Sequence, residues 1–345
     1  MDSDSAVKVS VIMSTYNRAH YLPDALKALD AQDCELPYEV IVIDNASTDS
    51  TPTVLQKWCE KNSRFRSARE NRLGLSWGKN AGIQMARARL LLFSDDDMLV
   101  DPSWVRTYCD FFSRHKDRLM LVGGPYIPIP HDLGQWPAWF SEPALADVAL
   151  LQYQKERILD KKEWVWGGNM AVPAKLFEQF GLWNVAVGRR GDERGTFEDT
   201  EFQDRIRNAG GAVWFCPSAI VHHRVDRQTI TPSRVLGRAF ARGRNEFWQE
   251  GLRNSGEPHL VPTQNLVACL TGLAVGLCLW VFWTVFFRIL SSSTIFARAH
   301  RAARSCGWWL GRMEAGRTST TISALIAHAT FVVRARVLYL IARAS

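Results

Sequence analysis

The sequence predicts an α/β fold: a Rossmann-like parallel sheet with helices on both faces, followed by C-terminal membrane or interfacial helices. Three observations predict it. Short apolar, β-rich runs alternate with helix-length stretches through the first half, the pattern of strands joined by covering helices. Polar clusters follow three of those runs directly, at Ser14 to Arg18, Asp44 to Asp49 and Asp95 to Asp97. An open α/β sheet gathers its ligand groups at these carboxyl ends of its strands. A 22-residue uncharged run, Leu266 to Phe287, then precedes an Arg-rich end.

The elements follow in order. Val7 to Ser14 is the first strand, and a helix runs from Leu22 to Ala31. Tyr38 to Ile43 is the second strand, followed by a helix from Pro52 to Lys61. A short run near Phe65, a helix from Lys79 to Ala88, a strand from Leu90 to Phe93, a helix from Trp104 to His115 and a strand from Leu119 to Val122 come next. From about Pro125 to Glu163 the pattern turns irregular and Pro-rich. Trp164 to Val172 and Val213 to Val221 read as further strands around a helix from Asp199 to Asn208. The chain holds no GxGxxG and no GxxxxGK[ST], so dinucleotide binding and P-loop chemistry lack their usual support.

Charge is unevenly placed over the 345 residues. The formal net charge is +7, and residues 288 to 345 hold nine Arg and one Glu, or +8, which leaves −1 for the remainder. A basic tail behind an apolar segment suits an anionic membrane better than nucleic acid. Seven cysteines without a CxxC pair argue against a disulfide framework or a zinc site and fit a reducing compartment. Met1 to Lys8 lacks the apolar core of a secretory signal, so the body of the protein is expected in the cytoplasm.

As a helix, Leu266 to Phe287 would reach about 33 Å, enough for a bilayer core. Arg234, Arg238 and Arg242 recur every four residues, as on a basic helix lying against an anionic surface or one reaching a donor pyrophosphate from above. Ile322 to Arg343 carries Arg334 and Arg336 near its middle, which suits an interfacial helix. A single crossing by Leu266 to Phe287 would export six Arg between Arg288 and Arg317, against the positive-inside tendency, so a re-entrant or hairpin arrangement stays open.

The strand Leu90 to Phe93 ends in Ser94, Asp95, Asp96 and Asp97, which concentrates negative charge at the lip of the sheet. Three such carboxylates cannot all stay ionised cheaply. A hard divalent cation takes oxygen ligands from one or two carboxylates and fills its other positions with water and phosphate oxygens. A metal-bound diphosphate is one reading, and an acidic turn capping the helix that starts near Pro102 is the other.

The ordered motifs decide between them. Val9 to Arg18 is similar to the opening strand and nucleotide-contacting turn of the family 2 glycosyltransferases, which have a GT-A fold. Val40 to Asp44 with Asn45 to Asp49 resembles the family's acidic turn. Asn71 to Leu75 with Lys79 to Gly82 resembles the segment before its metal-site strand, and Asp95, Asp96 and Asp97 fall at its DxD motif. Downstream, Gly167, Gly168, Asn169 and Met170 resemble the acceptor-side Gly-rich strand, and Phe197 to Phe202 resembles the ED motif. Pro217, Ala219, Val221 and His223 recur at period two, one face of a strand, where the family often has a metal-completing His.

The resemblance, over roughly residues 7 to 225, implies a nucleotide-sugar-binding GT-A sheet. It implies metal binding by Asp95, Asp97 and His223, with Mg²⁺ or Mn²⁺ as cofactor. Donor binding falls to Ser14, Thr15, Tyr16, Asn17, Arg18, Asp44, Arg72, Lys79, Asp95 and Asp96. The acceptor side takes Gly168, Asn169 and Glu198, with Trp136 and Trp139 as aromatic faces for a sugar or lipid, or as packing. Asp199 is the general base.

The implied domains are a catalytic domain over 1–230, with a nucleotide-side half of about 7–125 and an acceptor-side half of about 126–230, then a basic amphipathic helix and linker over 231–260. Membrane-associated helices occupy 261–345. The implied function is inverting hexosyl transfer from a nucleotide-diphosphate sugar, a UDP-sugar first, to a saccharide or lipid-linked acceptor at the cytoplasmic face of the inner membrane, in polysaccharide biosynthesis. Asp95 and Asp97 would hold a metal against the departing diphosphate, and Asp199 would take the proton of the attacking hydroxyl. A nucleotidyltransferase and a non-catalytic, membrane-anchored nucleotide-sugar-binding protein are the other readings.

Overall fold

The computed structural model describes residues 7–115, 119–140, 142–145, 148, 150–186, 198–240 and 293–315. They form two compact units, Met1–Ile129 with Leu151–Arg224, and Pro130–Leu150 with Val225–Ser345.

The first unit is built on β1 (Val9–Thr15), β2 (Tyr38–Asn45), β3 (Phe65–Glu70), β4 (Leu90–Ser94), β6 (Met120–Gly123), β8 (Arg157–Ile158), β9 (Asn169–Pro173) and β10 (Ala212–Phe215), in the order β3-β2-β1-β4-β9-β6-β10-β8. A second, three-stranded sheet runs β5-β11-β7, from β5 (Met98–Val100), β11 (Val221–Val225) and β7 (Tyr126–Pro130). Helices α1 (Leu22–Asp30), α2 (Thr51–Lys61), α3 (Leu75–Met85), α4 (Trp104–Arg114), α6 (Ala174–Phe180) and α7 (Glu198–Asn208) belong to this unit, and the short α5 (Glu142–Leu145) to the second.

Every residue of β1 and β2 is buried, as expected for parallel strands covered on both faces, whose sequences read as continuous apolar runs rather than alternating ones. Strands β3, β2, β1 and β4 pair in parallel. The all-parallel expectation stops there, because β9 runs antiparallel to both β4 and β6. Helix α3 approaches β1 very closely: a Cβ at Gly78 would collide with Ser14, and one at Gly82 with Ile12. Glycine's usual cost inside a helix is accepted here in exchange for that approach.

Three sequence expectations shift. Helix α3 begins at Leu75, not Lys79, because Gly74 at φ 149° turns the chain and donates its N–H to Asn45 Oδ1 at 2.7 Å. The expected strand Trp164 to Val172 is extended sheet only from Asn169. The backbone of Val165 is satisfied instead by one side chain: Val165 N–H donates to Gln203 Oε1 at 3.0 Å and its carbonyl accepts from Gln203 Nε2 at 2.9 Å. Val213 to Val221 divides into β10 and β11 in different sheets. Pro217 and Ser218 form a turn, closed by Ala219 N–H on the Cys216 carbonyl at 3.2 Å, so only Val221 and His223 of the expected period-two face lie on a strand.

The core behind the site is aromatic. Phe93, Phe177, Trp183 and Phe202 are buried together, with Phe177 and Phe202 stacked at 4.6 Å and Trp183 4.8 Å from Phe202. Phe202 sits one turn into α7, so this packing fixes the start of that helix.

In the second unit, Ala144, Val148, Val235, Leu236, Ala239, Phe296, Ala299 and Ala303 form a separate apolar cluster. Trp136 and Trp139 pack against it, Trp136 stacked on Phe140 at 4.8 Å and Trp139 edge-on to Phe296 at 4.7 Å. Arg234 and Arg238 lie on a helix over 232–240, and Arg298, Arg301 and Arg304 are exposed along the helix Ser293–Ala315. Among the described residues no helix is long and apolar enough to cross a membrane. Arg242, Leu266 to Phe287 and Ile322 to Arg343 lie outside them.

Candidate active site

The carboxyl ends of β1 and β2 are tied to each other before any ligand is considered. Asn17, at φ 52°, occupies the left-handed region that Asn tolerates better than most residues. Its Oδ1 accepts from the N–H of Thr48 at 2.7 Å, its own N–H donates to Ser47 Oγ at 2.9 Å, and Arg18 N–H donates to Thr51 Oγ1 at 3.1 Å. Asp44 closes its own turn by accepting from Ser47 N–H at 3.0 Å and pairs with the Arg69 guanidinium. Asp44 and Arg69, with Pro52 and Leu55 among their neighbours, line a cavity of about 510 Å³.

The three aspartates after β4 have three different environments. Asp96 is buried, accepts from Thr15 Oγ1 at 2.7 Å and lies 3.8 Å from Arg18 Nε. Burial, with Asp97 beside it, raises its carboxyl above the ordinary range against the pull of Arg18 and Thr15. Asp97 Oδ2 lies 3.7 Å from His223 Nε2 on β11. Burial would raise Asp97, but the charge and hydrogen bond of His223, with Arg18, hold it well below. Burial pushes Asp95 up, Lys79 opposes, and Asp97 and Glu198 add to the rise.

The loop before β9 brings the second acidic motif to the first. Gly167 N–H donates to Asp199 Oδ2 at 3.0 Å, and Thr200 N–H to Asp199 Oδ1 at 2.7 Å. A Cβ on Gly168 would collide with Asp95 Oδ2 and lie 2.5 Å from the Tyr126 hydroxyl; one on Gly167 would lie 2.7 Å from Lys79 Nζ. A side chain at either position would crowd these groups by close approach, with no turn geometry involved. Burial raises the Tyr126 hydroxyl, and Asp95, Asp199 and Asp97 all add to it. Asp199 is raised to about 6 by burial and by Glu198, against Lys79 and the two backbone N–H groups. The β4 acids and the α7 acids thus share one buried cluster, with Lys79 Nζ 3.5 Å from Glu198 Oε1 inside it.

The other expected residues differ in their surroundings. Arg72 is exposed, forked onto Glu70 at 2.9 and 2.7 Å, and lies over the Trp77 ring at 3.8 Å. Asn169 is fully buried with its side chain satisfied internally: Oδ1 accepts from Trp104 Nε1 and the Tyr108 hydroxyl, both at 2.7 Å, and Nδ2 donates to the carbonyls of Pro125 and Ala219. Ser14 is buried under Gly78, and Tyr16 is partly exposed between β1 and Asn17. Trp136 and Trp139 belong to the second unit. Phe197 lies outside the described residues. The roles of Tyr126 and Gln203 had no local sequence signal, because each is defined by a partner distant in the chain.

The residues present fit a divalent cation of the Mg²⁺ or Mn²⁺ kind. Asp97, in the turn before β5, and His223, on β11, offer one carboxylate and one imidazole, with about a fifth of each side chain exposed, and such ions take few protein ligands when phosphate oxygens supply the rest. Among the described residues no set of three or more His, Cys, Asp or Glu side chains closes on a common point.

Residues 10–172 match the family model described as glycosyl transferase family 2. The uncharacterized glycosyltransferase YfnE of Bacillus subtilis (strain 168) is 38% identical over 144 residues, 34% of this chain and 36% of that protein. The validoxylamine A glucosyltransferase of Streptomyces hygroscopicus subsp. jinggangensis (strain 5008) is 28% identical over 196 residues, 50% of this chain and 46% of that one. The matches to these two curated relatives span less than half of their lengths. The crystal structure of S. aureus TarS 1–349 in complex with UDP aligns at a TM-score of 0.49 and 14% identity, over 90% of this chain and 91% of that chain. Over residues 10–172 the chain is similar to glycosyl transferase family 2.

Proposed function

We propose that the protein is an inverting glycosyltransferase that moves a hexosyl group from a nucleotide-diphosphate sugar, a UDP-sugar first, to a saccharide or lipid-linked hydroxyl. One observation carries this reading: the acids following β4 and those opening α7 are buried together around Gly167 and Gly168. Transfer needs both sets, one beside the leaving diphosphate and one beside the attacking hydroxyl.

In this reading Asp44 and the cavity it lines take the nucleobase, and Arg18, held near Asp96, presents its guanidinium to phosphate oxygens. Asp97 and His223, with Asp95 beside them, would hold Mg²⁺ or Mn²⁺. When bound, such an ion supplies charge neutralisation at the leaving group. Asp199, with both oxygens oriented by backbone N–H groups, accepts the hydroxyl proton as that oxygen attacks the anomeric carbon. Asn169 braces the Gly-rich loop rather than meeting the acceptor.

The reading includes action at the cytoplasmic face of the inner membrane, supported by nine Arg against one Glu over residues 288–345 and the exposed Arg298, Arg301 and Arg304. Incubating the full chain with Mn²⁺ and a panel of nucleotide sugars tests the activity. Release of a nucleoside diphosphate with sugar transfer is expected. Release of pyrophosphate would identify a nucleotidyltransferase, and donor binding without any turnover would leave a binding protein.

A further inference from the structure

Resting on the transferase reading, we propose that Lys79 is a positioning residue for the acid pair of α7: its ammonium compensates Glu198, keeps Asp199 available to accept a proton, and touches no part of the donor. The sequence alone places Lys79 among donor-binding residues, where a lysine serves as a point charge for phosphate.

Its surroundings are those of an internal counter-ion. The Lys79 side chain is 4% exposed and that of Glu198 2%, so both charges have left water. A buried charge persists only when paired and hydrogen-bonded. Glu198 Oε1 has Lys79 Nζ at 3.5 Å, whereas Glu198 Oε2 is buried and accepts no hydrogen bond among the described residues. Among the described residues, compensation of this carboxylate therefore rests on one ammonium. By contrast, the Arg18 side chain is 31% exposed, the exposure a phosphate-holding group needs.

Lys79 is also mechanically fixed to the segment that leads toward α7. The neighbouring Asn80 donates from Nδ2 to the Trp183 carbonyl at 2.9 Å and accepts from Trp183 N–H at 3.0 Å, and Ser76 Oγ donates to the Asn184 carbonyl at 3.1 Å. The ammonium lies over the Trp183 ring, 5.3 Å from its centroid, and Gly167 leaves it room, since a Cβ there would come within 2.7 Å of Nζ. Helix α3 thus delivers one positive charge among the carboxylates of Asp95, Glu198 and Asp199.

The consequence is electrostatic. Adjacent buried carboxylates share a proton when nothing opposes their repulsion, and a protonated Asp199 cannot act as a base. Burial alone would lower the Lys79 ammonium, but Glu198, Asp95 and Asp199 outweigh it and hold it above the ordinary lysine value. The cation is kept by the acids it serves.

The test uses the full chain with Lys79→Met, Lys79→Arg, and the double variant Lys79→Met with Glu198→Gln. It reads turnover with the donor accepted by the wild type, together with calorimetric binding of UDP in Mn²⁺. Lys79→Met is expected to lower kcat about 100-fold, the scale of an impaired proton acceptor, and to leave UDP affinity within about threefold. Lys79→Arg should keep most of kcat. The double variant should be no slower than Lys79→Met alone, because both changes act on one pair; it also removes the uncompensated carboxylate, so it reads the coupling even if Lys79→Met folds poorly. A tenfold or larger loss of UDP affinity with kcat retained would make Lys79 a donor contact and overturn the proposal, as would a Lys79→Arg variant as slow as Lys79→Met. Those results leave the transferase reading standing, whereas a wild type that turns over no nucleotide sugar overturns both.

Discussion

Asp199 Oδ2 accepts a hydrogen bond from the backbone N–H of Gly167 at 3.0 Å, so the first acid-bearing turn of α7 is docked onto the Gly-rich loop that also meets Asp95. Burial and Glu198 raise Asp199 to about 6, and a general base works only when ionised. Its carboxylate takes up a proton as the pH falls through that value. Transfer by the free enzyme should therefore fall below about pH 6, approaching tenfold per pH unit well below it. A kcat/KM profile between pH 5 and 8 checks this, and a flat profile counts against Asp199 as the proton acceptor.

Replacing Gly82 by Ala should destabilise the protein although it improves helix propensity. Propensity alone favours Ala by about 1 kcal/mol, but the new Cβ would collide with the buried Ile12 Cγ2 and reach Ile43 at 3.5 Å. Overpacking of a tight core costs about 1–3 kcal/mol, so the net change should be a loss of about 1 kcal/mol. Denaturant unfolding of Gly82→Ala against wild type reads the sign directly.

Glu39 gives a stability prediction remote from the site. Its Oε1 accepts from Ser10 Oγ at 2.8 Å and Arg87 N–H at 2.9 Å, and its Oε2 from Arg66 at 2.7 Å. Burial raises this carboxyl, but Arg66, Arg87 N–H and Ser10 outweigh it and hold it below 4.5. A depressed folded value means stabilisation that is complete above the unfolded value and is lost as the pH falls through the folded one. Glu39→Gln should cost about 2 kcal/mol at pH 7, and the gap from wild type should narrow as the pH drops below 4.5. A gap that stays constant to pH 3 would contradict the assignment.

Much of this architecture is readable in the chain because it is local. The apolar runs of β1, β2 and β4 announce buried strands, and the acids that follow them sit at strand ends by position alone. What is not readable depends on partners far along the sequence. Gln203 replaces a strand partner for Val165 from 38 residues away, and Lys79 meets Glu198 from 119 residues away. Neither leaves a trace in local periodicity. Asn169 shows the same limit from the other side: its motif marks the loop that meets Asp95 and Asp199, but its four side-chain hydrogen bonds tie it to the fold. Trp136 and Trp139, which the sequence leaves open as faces for a sugar or lipid or as packing, pack against the second unit's own apolar cluster.

His223 and Asp97 lie 3.7 Å apart, so removing the imidazole should weaken the metal without removing the acids. Chelation is expected to stop transfer. His223→Ala should raise the Mn²⁺ concentration for half-maximal rate by about tenfold, equivalent to about 1.4 kcal/mol. Identical metal titrations for the variant and wild type would remove His223 from the metal site.

The convergence of the two acid sets is tested most directly by Asp199→Asn, which keeps the shape of the side chain and removes its basicity. Measured on the same preparation, UDP binding in Mn²⁺ should match wild type while sugar transfer falls about 1000-fold, the share of rate a positioned base supplies. Transfer at the wild-type rate with Asn at this position would contradict the account.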